Sequence, residues 1–346
     1  MAPPHDRRTT AVADAVVLPP ERLALLRQGA AVVTAAPAVF EIAGSGALTC
    51  LQGLLTNDVD KPGDRSVVYG ALLTPKGMIV VDLWALREAG EGEDRFLLVA
   101  PRAGREAALA IFRRSLPPRL ARLTDRTDEV HAAWCVGAHS FQMLARAGLG
   151  PLPEACGRAS TLDLPGGRVT LALGTEPAWF TALLLGGPGA LASALGVLRT
   201  AGAVTGEAED LAAARILAGW PALGAEIDER TLPQEVRYDA IGGVSYTKGC
   251  YTGQETVARV HFRGHVNREL RGLRWAPGAV PEGPDATVLH GEREVGTVRS
   301  MLTVGTQTVG LAPLRREVAA GDAVVAAGRP ATVVALPFAA NELLAG

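Results

Sequence analysis

Apolar positions along this chain recur with two periods, one helical and one strand-like, and the two alternate through its first two thirds. Ala47, Cys50, Leu51, Leu54 and Leu55 share one face at helical spacing. They predict an amphipathic helix ending near Asn57, a residue that accepts the left-handed conformation common after helices, with Cys50 buried. Runs 66–73 and 78–86 are strand-like, and Thr74, Pro75, Lys76 and Gly77 between them suit a tight hairpin turn. Positions 95–100 add a third strand, while 105–116, 138–147 and 207–220 have helical pattern. Runs 167–173 and 179–185 read as an antiparallel pair.

The uncharged stretch 177–198 is long enough to span a membrane, but Gly186, Gly187, Pro188 and Gly189 interrupt it. A strand, a turn and a helix beginning at Pro188 fit it better, with Leu191, Leu195 and Leu198 on one helix face. From Arg268 onward the texture changes to short β-prone runs broken by Pro and Gly, with a hairpin through 290–298 and a last strand at 331–336. The fold class is therefore α+β. Three parts are expected: a loose tail at 1–18, a mixed α+β region at 19–265, and a barrel or sandwich at 266–346.

Composition narrows the function. A chain of 346 residues, 48% hydrophobic and 20% charged, buries large cores. A formal charge of -2 gives no overall field toward nucleic acid or anionic lipid, so any anion site is local, and neither nucleic acid nor membrane is an expected partner. Cys50, Cys135, Cys156 and Cys250 are too widely spaced for a metal knuckle or a small disulfide framework, which points to a reducing, cytoplasmic setting. Arg7 and Arg8 precede an apolar stretch that Asp14, Pro19 and Pro20 cut short, and no small-residue cleavage pattern follows.

The densest chemistry lies at 242–259, GGVSYTKGCYTGQETVAR. Thr252 and Glu255 have capping-box spacing, so a helix is expected to start just after Thr252, with Cys250 in the loop before it. Glycine on its preceding side, Lys248 two residues away and a helix N-terminus favour an accessible thiolate. The competing reading makes Cys250 an inert small residue in a turn. Cys50, Cys135 and Cys156 lack that context and read as structural.

These residues resemble a known family. The run closely resembles the K-G-C-[FY]-x-G-Q-E motif of YgfZ proteins and their mitochondrial iron–sulfur assembly relatives. Leu51, Gln52, Gly53 and Leu54 with Thr56, Asn57 and Asp58 resemble that family's L-Q-G-x-x-T-N-D segment, and Pro75, Lys76, Gly77 and Asp82 its P-K-G-x-x-x-x-D hairpin. Arg215, Gly219, Pro221, Gly224, Leu232, Pro233 and Glu235 are similar to a further stretch, and Leu336, Pro337 and Phe338 to its ending.

The resemblance implies a cloverleaf like that of the glycine-cleavage T-protein: two ferredoxin-like subdomains interleaved along 19–265, and a C-terminal β-barrel. It implies a tetrahydrofolate-binding factor for iron–sulfur cluster assembly, maturation or repair, linked to tRNA modification. Transient partners would be iron–sulfur clients or assembly machinery. Cys250 and Lys248 would carry the chemistry, and Asn57, Asp58, Asp82, Arg215, Glu235, Gln254, Glu255 and Arg259 would face the folate. The alternative is an aminomethyltransferase-like one-carbon transferase. Two departures count against it: Val81 stands where the T-protein hairpin carries a second aspartate, and Leu217 where its R-L-E-A-G segment carries an acid. Losing both removes positioning and proton transfer together.

Several residues stay open between two roles. Asp82 either touches ligand or occupies the exposed face of an alternating strand. Asn57 and Asp58 either cap a helix or contact folate. The run Arg259, His261, Arg263, His265, Arg268, Arg271 and Arg274 is either an anion site, for a folate tail or a phosphate-bearing partner, or a solvated face. No metal is expected, because His261 and His265 lack an HExxH pattern and Gly264 interrupts the helix. Gly44, Ser45 and Gly46 lack the third glycine of a dinucleotide loop, and no phosphate loop occurs.

Overall fold

Strands rich in Val, Leu and Ala here bury both of their faces. The computed structural model describes residues 15–90, 92–175, 178–284 and 286–338. Its first sheet is antiparallel throughout, in the order β4 (Ser66–Leu73), β5 (Ile79–Arg87), β6 (Asp94–Ala100), β3 (Ala38–Gly44) and β7 (Arg122–Asp125). Helices α2 (Ala47–Gln52) and α3 (Arg105–Ser115) cover one face, packing Leu51, Leu109 and Phe112 against Phe40, Val81, Leu83 and Phe96.

The second sheet runs β12 (Val204–Thr205), β2 (Ala31–Ala35), β8 (His131–Val136), β11 (Ala182–Gly186), β10 (Gly167–Leu173) and β9 (Ala159–Leu164). Its outer face is covered by α4 (Ser140–Ala147) and α5 (Pro188–Thr200). The inner faces of the two sheets pack on each other through Val39, Val67, Leu86 and Val99 on one side and Ala132, Ala172, Leu183 and Leu185 on the other. Because β2 belongs to one sheet and β3 to the other, the two lobes interleave along the chain.

The third sheet has the order β1 (Val16–Leu18), β16 (Ser300–Val304), β17 (Gln307–Arg315), β13 (Arg268–Trp275), β19 (Arg329–Val334), β18 (Ala323–Ala326), β14 (Thr287–His290) and β15 (Arg293–Thr297). A pairing of Gly296 with Leu314 joins β15 to β17 and closes six of these strands into a barrel around Trp275, Leu273 and Val333. The fold is thus the T-protein-like cloverleaf of two α+β lobes and a C-terminal β-barrel. A core containing Leu23 of α1 (Pro20–Gln28), Ala214 and Ile216 of α6 (Ala208–Ala218), Val257 of α7 (Gln254–Arg263), and Tyr69, Trp220, Tyr238 and Leu302 joins all three lobes at the centre.

Three sequence expectations need correction. Residues 1–14 lie outside the described residues, but Val16–Leu18 is no loose tail: it pairs in parallel with β16 and buries Leu18. Helix α2 ends at Gln52 with Gly53 as its cap, and Asn57 is not left-handed; its side chain bonds to Tyr69 O and Gly242 O instead. Cys50 is half-buried rather than buried, and the apolar surroundings push its thiol up. The strand and helix assigned to 177–198 are present where described, as β11 and α5, with Pro188 in the first turn of α5. No helix among the described residues is long and apolar enough to cross a membrane.

Candidate functional site

Alternation along β5 sends Val81, Leu83 and Ala85 to the helix-covered face, and so turns Asp82 and Trp84 toward the centre of the cloverleaf. There the Tyr69 ring lies 4.9 Å from Trp84, 4.8 Å from Trp220 and 5.5 Å from Tyr238, and Trp84 and Trp220 stack at 5.8 Å. The Tyr69 hydroxyl donates to Asp82 Oδ2 at 3.0 Å and sits 3.4 Å from the Tyr238 hydroxyl. Asp82 Oδ1 is buried without a hydrogen-bond partner. Burial pushes the Asp82 carboxyl up to about 6, against the opposing pull of the Tyr69 hydroxyl, its own amide and the charge of Arg215. Asp82 is therefore not the exposed residue of an alternating strand; it is 7% exposed. Both tyrosines are pushed well up, first by burial and then by the charge of Asp82. An acceptor oxygen left open in an aromatic nest suits a flat ring bearing N–H donors.

The cysteine loop reaches this region from the far end of the chain. Thr56 donates its hydroxyl to Gly243 O at 2.7 Å and accepts from Ala71 N at 2.9 Å. The Asn57 amide donates to Tyr69 O at 2.9 Å and Gly242 O at 2.6 Å. Backbone bonds from Ser245 N to Thr56 O and from Thr252 N to Gly53 O, each 3.0 Å, pin the loop at two more points. Lys248, only 8% exposed, donates its ammonium to Leu55 O at 2.7 Å and Asn57 O at 2.8 Å. Burial lowers that ammonium to about 8, with the nearby Asp58 carboxylate opposing the fall. Lys248 is thus the bolt of the loop, while Cys250, two residues on, is exposed and unpaired with any other cysteine.

The helix that follows does not begin as expected. Its cap is Gly253 at φ 83°, with no side-chain cap, so the Thr252 and Glu255 capping box is absent. What fixes the start is a glycine-on-glycine contact. A Cβ on Gly253 would lie 2.6 Å from Thr74 O and 3.0 Å from Gly77 Cα, and one on Gly77, at φ 88°, would lie 2.9 Å from Thr256 Cβ. The P-K-G turn between β4 and β5 therefore abuts the first turn of α7.

Of the remaining candidates, Asp58, Arg215, Glu235 and Gln254 are engaged within the fold, and Glu255 and Arg259 face outward. Asp58 accepts from Gln52, Asp60 N and Lys61 N. Burial works against its ionisation, but the Lys61, Gln52 and Asp60 bonds together outweigh it and hold the carboxyl below the usual range. Arg215 donates to Trp220 O, Glu226 Oε2 and Ser300 Oγ, which commits it to joining α6 to the barrel. Glu235 accepts from Leu232 N, and burial pushes its carboxyl up. Gln254 accepts from Tyr251 N at 3.3 Å, and Glu255 and Arg259 are exposed on α7. The described residues contain no group of three or more His, Cys, Asp or Glu placed to hold a metal ion. Sequence reasoning missed Tyr69, Trp84, Trp220, Tyr238 and Glu226; none sits in a motif of its own, and only the fold brings them together.

A cloverleaf with an aromatic, carboxylate-bearing centre defines the class: proteins with the fold of the glycine-cleavage T-protein. Residues 24–149 match the GCVT N-terminal domain family. The solved structure of glycine cleavage system aminomethyltransferase T from Bartonella henselae superposes with a TM-score of 0.75 at 18% identity, covering 93% of this chain and 89% of that one. Within this class the chain belongs to the YgfZ family. The tRNA-modifying protein YgfZ of Escherichia coli O157:H7 is 30% identical over 264 residues, covering 75% of this chain and 77% of the relative. That of Enterobacter sp. strain 638 is 31% identical over 273 residues, with the same two coverages.

Proposed function

We propose that this chain binds a reduced folate in its aromatic centre and acts, through Cys250, as a cytoplasmic factor for the assembly, maturation or repair of iron–sulfur proteins. The observation that carries the folate half is the unpartnered, buried Oδ1 of Asp82 beside Tyr69, Trp84, Trp220 and Tyr238. The chemistry of those residues suits a pterin: the carboxylate would pair with its N–H donors and the aromatic rings would pack against it. Bound there, tetrahydrofolate supplies a carrier for one-carbon units. Asp82 would orient it, and the rings would exclude water.

The cysteine half rests on construction. At least six hydrogen bonds fix the 242–252 loop to residues 53–57, yet the thiol it presents is exposed. A filler residue needs no such mounting. One exposed cysteine supplies too few ligands for a lasting cluster, so its encounter with a cluster or client is transient. The relatives carry the name of tRNA-modifying proteins, which supports a role for this chain in tRNA modification. The one-carbon transferase reading is weaker, because Val81 faces the helix-covered core rather than supplying a second carboxylate.

Anaerobic calorimetric titration with tetrahydrofolate tests the assignment in the parent, Asp82→Asn and Cys250→Ser proteins. Saturable binding by the parent and Cys250→Ser, lost in Asp82→Asn, is the expected pattern, together with failure of Cys250→Ser to restore iron–sulfur enzyme activity in cells lacking the native protein. Restoration by Cys250→Ser would remove the cysteine from the mechanism, and absence of folate binding by the parent would remove the pterin site.

A further inference from the structure

The C-terminal half of α7 and the barrel rim beneath it carry charge that the fold itself does not need. Arg259 and Arg263 are one turn apart on the helix, a like-charge spacing that costs helix stability. Arg268 of β13 lies directly opposite Arg315 of β17, and like charges so placed on neighbouring strands are again destabilising. Arg316 joins them, its backbone N–H donating to Asn267 O at 3.1 Å. All five arginines are exposed, and none forms an ion pair among the described residues.

The acids nearby are already engaged. Glu269 pairs with Arg271, Glu317 with Arg293, and Asp239 accepts from the Tyr246 hydroxyl. Glu235, whose carboxyl feels the charge of Arg268, is held by Leu232 N. Glu255 is the one acid on α7, at its other end. A protein of net charge -2 has thus concentrated uncompensated positive charge on one rim.

Amid that charge stands Phe262, 66% exposed. It is not a loose side chain: its ring meets His261 edge-on at 4.7 Å, and His261 stacks on Tyr246 at 3.6 Å. A third contact runs from Phe262 to Tyr246 at 6.0 Å. A braced, solvent-facing aromatic ring flanked by guanidinium groups is the arrangement on which unpaired bases stack while their phosphates are neutralised. An acidic protein would satisfy the arginines but give the braced ring no role.

We propose that this rim binds RNA at an unpaired segment, with Arg263, Arg268, Arg315 and Arg316 on the backbone phosphates and Phe262 stacked on a base. Sequence alone pointed the other way, because the net charge is near zero. The site is local and needs no global field. It lies at the far end of α7 from Cys250, roughly 15 Å along the helix axis for ten residues.

Fluorescence anisotropy of a fluorescein-labelled, unmodified tRNA transcript tests the proposal. Four phosphate contacts predict a log–log salt slope of about −3. The Arg268→Ala/Arg315→Ala pair should cut that slope by about 1.5, and Phe262→Ala should weaken binding about tenfold or more with the slope unchanged. Arg263→Gln alone should lower the slope by less than one, and the thermal midpoint of each arginine variant should match or exceed the parent's, since those side chains are exposed and mutually repelling. Three outcomes overturn the proposal: no saturable binding at low salt, equal binding by parent and variants, or displacement of the RNA by polyglutamate as readily as by single-stranded RNA. The last would identify an acidic protein as the partner.

Discussion

The Lys248 ammonium donates to the carbonyl oxygen of Asn57 at 2.8 Å, across 191 positions of chain. Together with the bond to Leu55 O it leaves the cysteine loop little freedom to lift away. Removing the ammonium leaves two carbonyls without their charged donor. Lys248→Met should cost about 2–4 kcal/mol of unfolding free energy, because hydrogen bonds to charged groups contribute more than neutral ones and a buried acceptor left open is costly. Denaturant unfolding measures it; a loss under about 0.5 kcal/mol would show that the other loop bonds suffice.

Asp82 gives a pH signature whose sign follows from the direction of its shift. Its folded-state value of about 6 lies above the ordinary value of 3.8, so between those two pH values the folded chain holds the extra proton. Stability from this group is therefore full below about pH 4 and declines as pH rises through 6. Asp82→Asn should be more stable than the parent at pH 7.5, by on the order of 1–3 kcal/mol, with the difference vanishing near pH 4. Thermal unfolding across pH checks it. Folate affinity should move the opposite way in the parent, weakening about tenfold from pH 7 to pH 5 as the acceptor protonates.

Two neighbouring substitutions at the start of α7 should differ sharply. Gly253→Ala places a Cβ 2.6 Å from Thr74 O at a φ of 83° and should cost more than about 2 kcal/mol, opening the contact with the P-K-G turn. Thr252→Val should stay within about 0.5 kcal/mol, because no side-chain cap is lost. A large cost at Thr252 would mean that the capping box forms in solution.

Arg215 and the buried Glu226 tie α6 to the barrel. Glu226 accepts from Arg215, Ala222 N and Ser300, and its side chain is fully buried. Arg215→Met leaves that carboxylate unpaired and should cost about 3–5 kcal/mol, whereas the Arg215→Met/Glu226→Gln double variant should recover a good part of the loss. Urea midpoints of the three proteins decide it. If tetrahydrofolate affinity falls in proportion only for Arg215→Met, with stability intact, then Arg215 is a ligand-binding residue after all.

The strand pattern was legible because burial enforces it: residues 66–73 and 167–173 were placed on the sequence with the observed ends. The motif loop was legible too, since its glycines, lysine and cysteine crowd into a dozen residues. Other features were set by tertiary contact. Asn57 could not be read as a clamp without Gly242, nor Arg215 as a clamp without Ser300. The α7 cap went to a glycine because Thr74 and Gly77 crowd that turn, a clash that local spacing cannot report. Leu18 looked like the end of a tail because its partner strand lies nearly 300 residues further along.

The way the cysteine loop is seated has a consequence for the order in which the chain becomes competent. Leu55, Asn57, Tyr69 and Asp82 emerge early in synthesis, but Tyr238, Gly242 and Lys248, which complete the nest and bolt the loop, emerge in the last third. Until then the first lobe carries open carbonyls and an incomplete ring cluster, and the motif cysteine has not yet been made. A chain truncated before Lys248 would lack both the bolt and Cys250, so premature termination yields no exposed motif cysteine on an unfinished scaffold.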